Sequence, residues 1–297
     1  MTETNEPTTT AEDTATTAPT KVCLCYRPEH YGPFIEHWDT FLMPRDVVDN
    51  PEALDPSIQQ IIPYVTFFRA KDRGQREDGS PIEGLELLSY RRGSQSDEGR
   101  LTAKRALGFG GHIDSLPGAN ILELIHSEAT REVQEELGLT MNARALYAAL
   151  INSVRNHSYL VFNDGTVNAV HTGIAILTPL KDHTEEETFT LEHGHIEDLQ
   201  WIDPADFTDE ELGKNEYELW SQAIIRGMRA KLAEFEQAHA QQAAMQKRMQ
   251  ESAQEFIDLA ERAQQQAAEA AQASAGDMVV GTEASVEQAV GVEDPAA

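Results

Sequence analysis

One run of the chain constrains the fold more than any other. Between Asn120 and Leu137 the apolar residues Ile121, Leu124, Ile125, Ala129, Val133 and Leu137 recur every three or four positions, the period of an amphipathic helix. Asn120 is a good N-cap and Gly138 a natural stop. The opposite side carries Glu132, Glu135 and Glu136 at i, i+3 and i+4, so three carboxylates project from one face. Like charges at these spacings weaken a helix by roughly 0.2–0.5 kcal/mol per pair. A block this dense is relieved when divalent cations neutralise it. Hard ions such as Mg²⁺ prefer oxygen ligands and share their remaining positions with water and phosphate. Glu128, one turn earlier, reads alone as a solvated acid.

The segments around this helix are strand-rich. Val22–Tyr26, Tyr64–Ala70 and Leu85–Arg91 carry the β-branched, aromatic and aliphatic residues of strands, and the last two make a long hairpin across Lys71–Gly84. Arg105–Ile113 is strand-like and then glycine-rich. Arg144–Val154, Ser158–Phe162, Val167–Thr178 and His195–Ile202 also read as strands, with a tight turn at Asn163–Gly165. Glu216–Leu232 is a second amphipathic helix. Many strands and few helices predict an α+β domain over residues 21–232.

The composition changes at both ends. Residues 1–20 are rich in Thr, Ala and Glu and lack apolar periodicity, so disorder is expected there. Residues 233–275 are dominated by Ala and Gln, which favour helix. A faint heptad runs Phe235, Gln242, Met249, Phe256 and Ala238, Met245, Ser252, Leu259, too polar for more than weak self-association into a homo-oligomer. Disorder is again expected over 276–297.

A net charge of -28 argues against nucleic acid and anionic lipid as partners, since both demand clustered Lys and Arg. No apolar run is long enough for a membrane span, and no secretion signal is visible. Cys23 and Cys25 cannot form a disulfide framework or, alone, a zinc site. They read as buried thiols of a cytoplasmic protein, with side chains facing opposite ways.

The segment Arg131-Glu-Val-Gln-Glu-Glu-Leu-Gly-Leu139 resembles, position by position, the second half of the box that marks the Nudix hydrolases. Glu123 stands where that box has its earlier glutamate, and Gly110-Gly111 precede the helix as the family's loop does. One departure is plain. Eleven residues separate Gly111 from Glu123, more than the box allows, and Pro117 stands where strict spacing wants glycine. The lengthened loop resembles that of a bacterial branch of Nudix phosphoesterases.

The resemblance implies an α/β/α sandwich around a mixed sheet, with the box helix on one face and Glu216–Leu232 on the other, followed by the helical tail. It implies Mg²⁺ or Mn²⁺ held by Glu132, Glu135 and Glu136, with Arg131 orienting a glutamate through a salt bridge. It also implies a small-molecule substrate, a nucleoside diphosphate linked to another moiety, whose pyrophosphate lies along Gly110 and Gly111. His112 either touches phosphate or caps the strand. A further glutamate from a late loop serves the family as base or ligand; among Glu185–Glu187, Glu192 and Glu197, Glu192 is favoured. The competing reading is a catalytically inactive Nudix-fold binding module acting through a partner, against which the complete glutamate set counts. His157, His171, His193 and His195 show no helical metal spacing.

Overall fold

The computed structural model describes residues 21–28, 35–50, 52, 54–76, 79, 81–94, 101–114, 120–162, 164, 167–180, 189–214 and 216–286, with side chains to residue 272. The Asn163–Gly165 turn, Glu185–Glu187 and the Ser115–Gly118 insert fall wholly or partly outside these residues. Two compact units make up the chain, Met1–Ala230 and Lys231–Ala297.

The first unit is built on one mixed sheet. Its hub is β3 (Gln59–Gln75), which runs antiparallel to β1 (Val22–Tyr26), β4 (Pro81–Arg92) and β6 (Gly108–Phe109) and parallel to β8 (His171–Pro179). Around it, β2 (Thr40–Pro44) pairs β1, β5 (Arg105–Ala106) and β9 (Ile196–Ile202) pair β4, and β7 (Tyr159–Val161) pairs β8. The short helix α1 (Arg45–Val48) follows β2 directly. A 3₁₀ turn at Val167–Val170 occupies the start of what the sequence suggested was strand.

Alternation along β3 sorts side chains into two cores, as the period of two requires. Ile61, Val65 and Phe67 pack with the box helix α2 (Ile121–Leu137), through Ile121, Leu122, Ile125, Ala129, Val133 and Leu137. Tyr64 and Phe68, on the other side, share a core with Leu212 of the short helix α4 (Asp209–Gly213) and with Ile224, Ile225 and Trp220 from the first turns of α5 (Leu219–Val286). The α/β/α arrangement and the mixed sheet are therefore as the sequence led one to expect.

Two readings are corrected. Arg144–Val154 is not a strand but part of a helix, α3 (Ala143–Arg155), capped by Asn142, whose side chain accepts from Arg144 N and Ala145 N. Its buried residues Leu146, Leu150, Ser153 and Val154 follow the helical period. Cys23 and Cys25 do not face apart: residues two apart in a strand share a face, and the two thiols lie 3.7 Å from one another, both buried and free. They pack with Val48, Phe41 and Met43.

The described residues of the second unit belong to α5, with Phe235, Met245, Met249, Phe256 and Leu259 exposed. The last fully buried residue of the chain is Ile225 among those described. Deleting residues 240–297 should therefore leave the unfolding midpoint within about 2 °C of the full chain, since none of the described residues removed is buried. Calorimetry checks this; loss of the cooperative transition would make the tail part of the folded core. No helix among the described residues is long and apolar enough to cross a membrane.

Candidate active site

Helix α2 is placed by its caps. Asn120 accepts from Leu122 N at 3.1 Å, and Gly138 closes the last turn at φ 68°, a left-handed conformation that suits glycine. With the apolar stripe turned onto the sheet, the glutamates face a cavity of about 680 Å³. All eight residues singled out for the site line it: Gly110, Gly111, His112, Arg131, Glu132, Glu135, Glu136 and Glu192. Glu123 and Glu197 are exposed and do not line it.

The three helix glutamates are not equivalent. Glu135 is half exposed and paired with Arg131. Glu132 is largely buried, at 13% side-chain exposure. Burial pushes its carboxyl up to about 7, Arg131 opposes this, and a hydrogen bond shared with Glu128 adds to the rise. Glu136 is pushed further, to about 8, by burial first and by the charge of Glu132; Arg92 pulls it down, Glu192 raises it, and the Gly110 N–H bond lowers it. Its Oε2 atom is buried and has no hydrogen-bond partner among the described residues.

Arg131 holds the cluster together. Its guanidinium donates to Glu128, Glu132 and Glu135 at once, which holds its own pKa above the usual value. Glu128 is thus buried and ion-paired, not a solvated acid. The fork geometry of arginine suits such a brace; lysine, a point donor, does not.

The glycine pair is explained by close approach. A Cβ on Gly110 would overlap the Pro63 carbonyl of β3, and one on Gly111 would overlap Glu132 Oε1. These predict separable outcomes. Gly110→Ala meets backbone and should destabilise the fold by about 1–3 kcal/mol, whereas Gly111→Ala meets the end of a flexible side chain and should keep the fold while displacing Glu132. Thermal unfolding beside divalent-metal affinity distinguishes them. Equal Tm losses, or metal affinity unchanged in Gly111→Ala, would contradict this reading.

Glu192 comes from the loop ahead of β9, its backbone N–H bonded to the Glu136 carbonyl at 3.1 Å and its carboxylate 4.0 Å from His195 Nδ1. Several lining residues were not anticipated. Arg92 is mostly buried and forms an ion pair with Glu218 at 3.1 Å. Glu218 also accepts from Tyr64 and lies within hydrogen-bond reach of Ser221, so its oxygens are committed to structure. Lys21, Arg45 and His171 complete a second neighbourhood around His112. Burial, then Arg45, His171 and Lys21, hold the His112 imidazole well below the usual histidine range, so it is neutral at pH 7. No local sequence signal marks these residues, because strand pairing brings them together.

No known family profile matches the chain. Over 174 residues it is 29% identical to Protein YmaB of Bacillus subtilis (strain 168), a stretch covering 58% of this chain and 71% of that protein. Two solved structures resemble it. One is the crystal structure of Tm1382, provisionally described as a Nudix hydrolase, with 18% identity, 71% of this chain and 99% of that chain covered, and a TM-score of 0.38. The other is a MutT/nudix family protein from Enterococcus faecalis, with 11% identity, 49% and 44% covered, and a TM-score of 0.29. Both structures carry Nudix descriptions.

Proposed function

We propose that the chain is a Nudix-type hydrolase that uses Mg²⁺ or Mn²⁺ to cleave the pyrophosphate bond of a nucleoside diphosphate linked to another moiety. One observation carries the reading: the buried Glu136 Oε2, without a partner, beside a second buried carboxylate in the wall of a cavity. A buried carboxylate oxygen left unpaired is costly, and a hard divalent cation is the partner its chemistry suits.

Glu132 and Glu136, with Glu135 at the rim, would hold the metal. When bound, such an ion neutralises phosphoryl charge and acidifies a bound water. The chain's own residues do the rest. Arg131 fixes the Glu132 and Glu135 carboxylates. Gly110 and Gly111 line the same cavity, and the pyrophosphate would lie along them. Arg92, Arg45 and Lys21 offset the negative wall and attract an anionic substrate. Glu192, in the same wall and close enough to influence Glu136, would accept a proton from water.

The test is a panel of nucleoside diphosphate derivatives incubated with the full chain and Mg²⁺ or Mn²⁺, followed by detection of released nucleotide or phosphate. Metal-dependent release supports the reading. Metal-dependent binding without release of any product would instead identify a binding module.

A further inference from the structure

The geometry points to a second cation site at the edge of the same cavity, formed by His112 Nε2 and His171 Nε2 of its wall and Asp49 Oδ1 behind them, and suited to a borderline ion of the Zn²⁺ class. It is chemically distinct from the glutamate cluster and stands whether or not that cluster hydrolyses anything.

Three separate elements deliver the ligands. His112 follows the glycine pair after β6. His171 opens β8, in register with Gln60 of the parallel neighbour β3. Asp49 closes α1 as its C-cap. The three ligand atoms lie within 4.8 Å of one another. The two imidazole Nε2 atoms are hydrogen-bonded to each other at 3.3 Å, with the rings tilted at 68°, and an ion would take the place of the shared proton. Two nitrogens bound at about 2.05 Å to a tetrahedral ion stand about 3.3 Å apart, so the pair already has the required bite. Asp49 Oδ1 is wider, 4.0 Å from His171 Nε2, and would draw in when an ion binds.

The surroundings orient the set as outer partners of a metal site do. Gln60 Nε2 donates to Asp49 Oδ1 at 2.7 Å, and Arg45 Nε donates to the other oxygen, Oδ2, at 3.3 Å. Oδ1 keeps a lone pair for an ion. Imidazole nitrogen selects zinc-class ions over Mg²⁺, which prefers oxygen. Three protein ligands leave a coordination position open, and since both histidines line the cavity, a water or an anionic oxygen can fill it. Arg45 and Lys21 nearby reduce the affinity below that of a structural zinc site.

Co²⁺ is the probe, because an ion with imidazole ligands and low coordination number gives intense visible absorption that oxygen-only octahedral sites do not. The full chain, stripped with chelator, is titrated with Co²⁺ and then with Zn²⁺. We expect the visible band to appear, Zn²⁺ to displace it, and His112→Gln to weaken Zn²⁺ binding by at least about 100-fold, the upper end of what losing even an outer partner costs. Asp49→Asn, at a half-exposed position, should weaken it too if His112→Gln fails to fold by circular dichroism. Glu132→Gln should keep the band. A band absent from the wild type, unchanged in both His112→Gln and Asp49→Asn, or lost in Glu132→Gln overturns the proposal. So does inorganic phosphate binding that depends on His112 without any metal, which would make the pair an anion contact.

Discussion

Replacing Glu136 by glutamine should lower metal-dependent turnover by about 10²–10³-fold, equivalent to about 2.7–4 kcal/mol of transition-state stabilisation. Glutamine keeps the shape and one acceptor oxygen but loses the charge that a divalent ion needs. The size of the effect follows from position. Glu136 Oε2 is buried and has no partner among the described residues, so no neighbouring side chain there stands ready to replace the missing ligand. Glu132→Gln should behave similarly, since Glu132 is also buried and braced by Arg131. Glu135→Gln should cost much less, because its carboxylate is half exposed and already committed to Arg131. Initial rates over a Mg²⁺ titration check the order. If excess metal rescues Glu136→Gln fully, its role is affinity alone; if Glu135→Gln is the most damaged, the metal sits at the rim of the cavity.

That ranking could not have been read from residues 131–139. The sequence identifies the helix because its signals are local: apolar residues every three or four positions, an Asn cap, a Gly stop and carboxylates at i, i+3 and i+4. All of these are internal to one element, and the structure places each where the period requires. The inequality of the three glutamates depends instead on what covers them, chiefly the Gly110–Gly111 loop. The same holds for Glu128, whose burial under Arg131 is invisible to a reading that counts charges along a helix.

The failures have the same origin. Ala143–Arg155 carries enough Leu, Ile and Val to pass as a strand, and only the burial of Leu146, Leu150 and Val154 reveals the helical period. His112 and His171 are 59 residues apart and meet because β6 and β8 both pair with β3. Tyr64 and Glu218 meet across 154 residues, on opposite sides of the box. Spacing rules apply within one element, so contacts made by parallel pairing and by packing on the second face of a sheet escape them.

The metal-free chain should lose stability as pH rises, and Glu136 should account for much of the loss. Its carboxyl moves from the ordinary 4.5 in the unfolded chain to about 8 in the fold. Below pH 4.5 both states hold the proton and the group is neutral towards folding. Between the two values the folded chain still holds a proton that the unfolded chain releases, so unfolding becomes steadily more favourable as pH rises. By pH 8 the contribution reaches about 4 kcal/mol, a large share of the stability of an ordinary domain. Glu132, raised to about 7 for the same reason of burial, adds to it in the same window. The many surface carboxylates also repel one another more as pH rises, so the wild-type curve alone does not isolate the site. The difference between wild type and Glu136→Gln does, because the surface is common to both. In chelator, denaturant unfolding should show the variant more stable than wild type at pH 8, with the gap closing towards pH 5. Millimolar Mg²⁺ should reverse the order at pH 8, since the ion binds the folded carboxylate and stabilises by mass action. If the gap between the two proteins is flat with pH, or if Mg²⁺ leaves it unchanged, then Glu136 is not a buried, ion-seeking carboxylate and the metal centre lies elsewhere in the cavity.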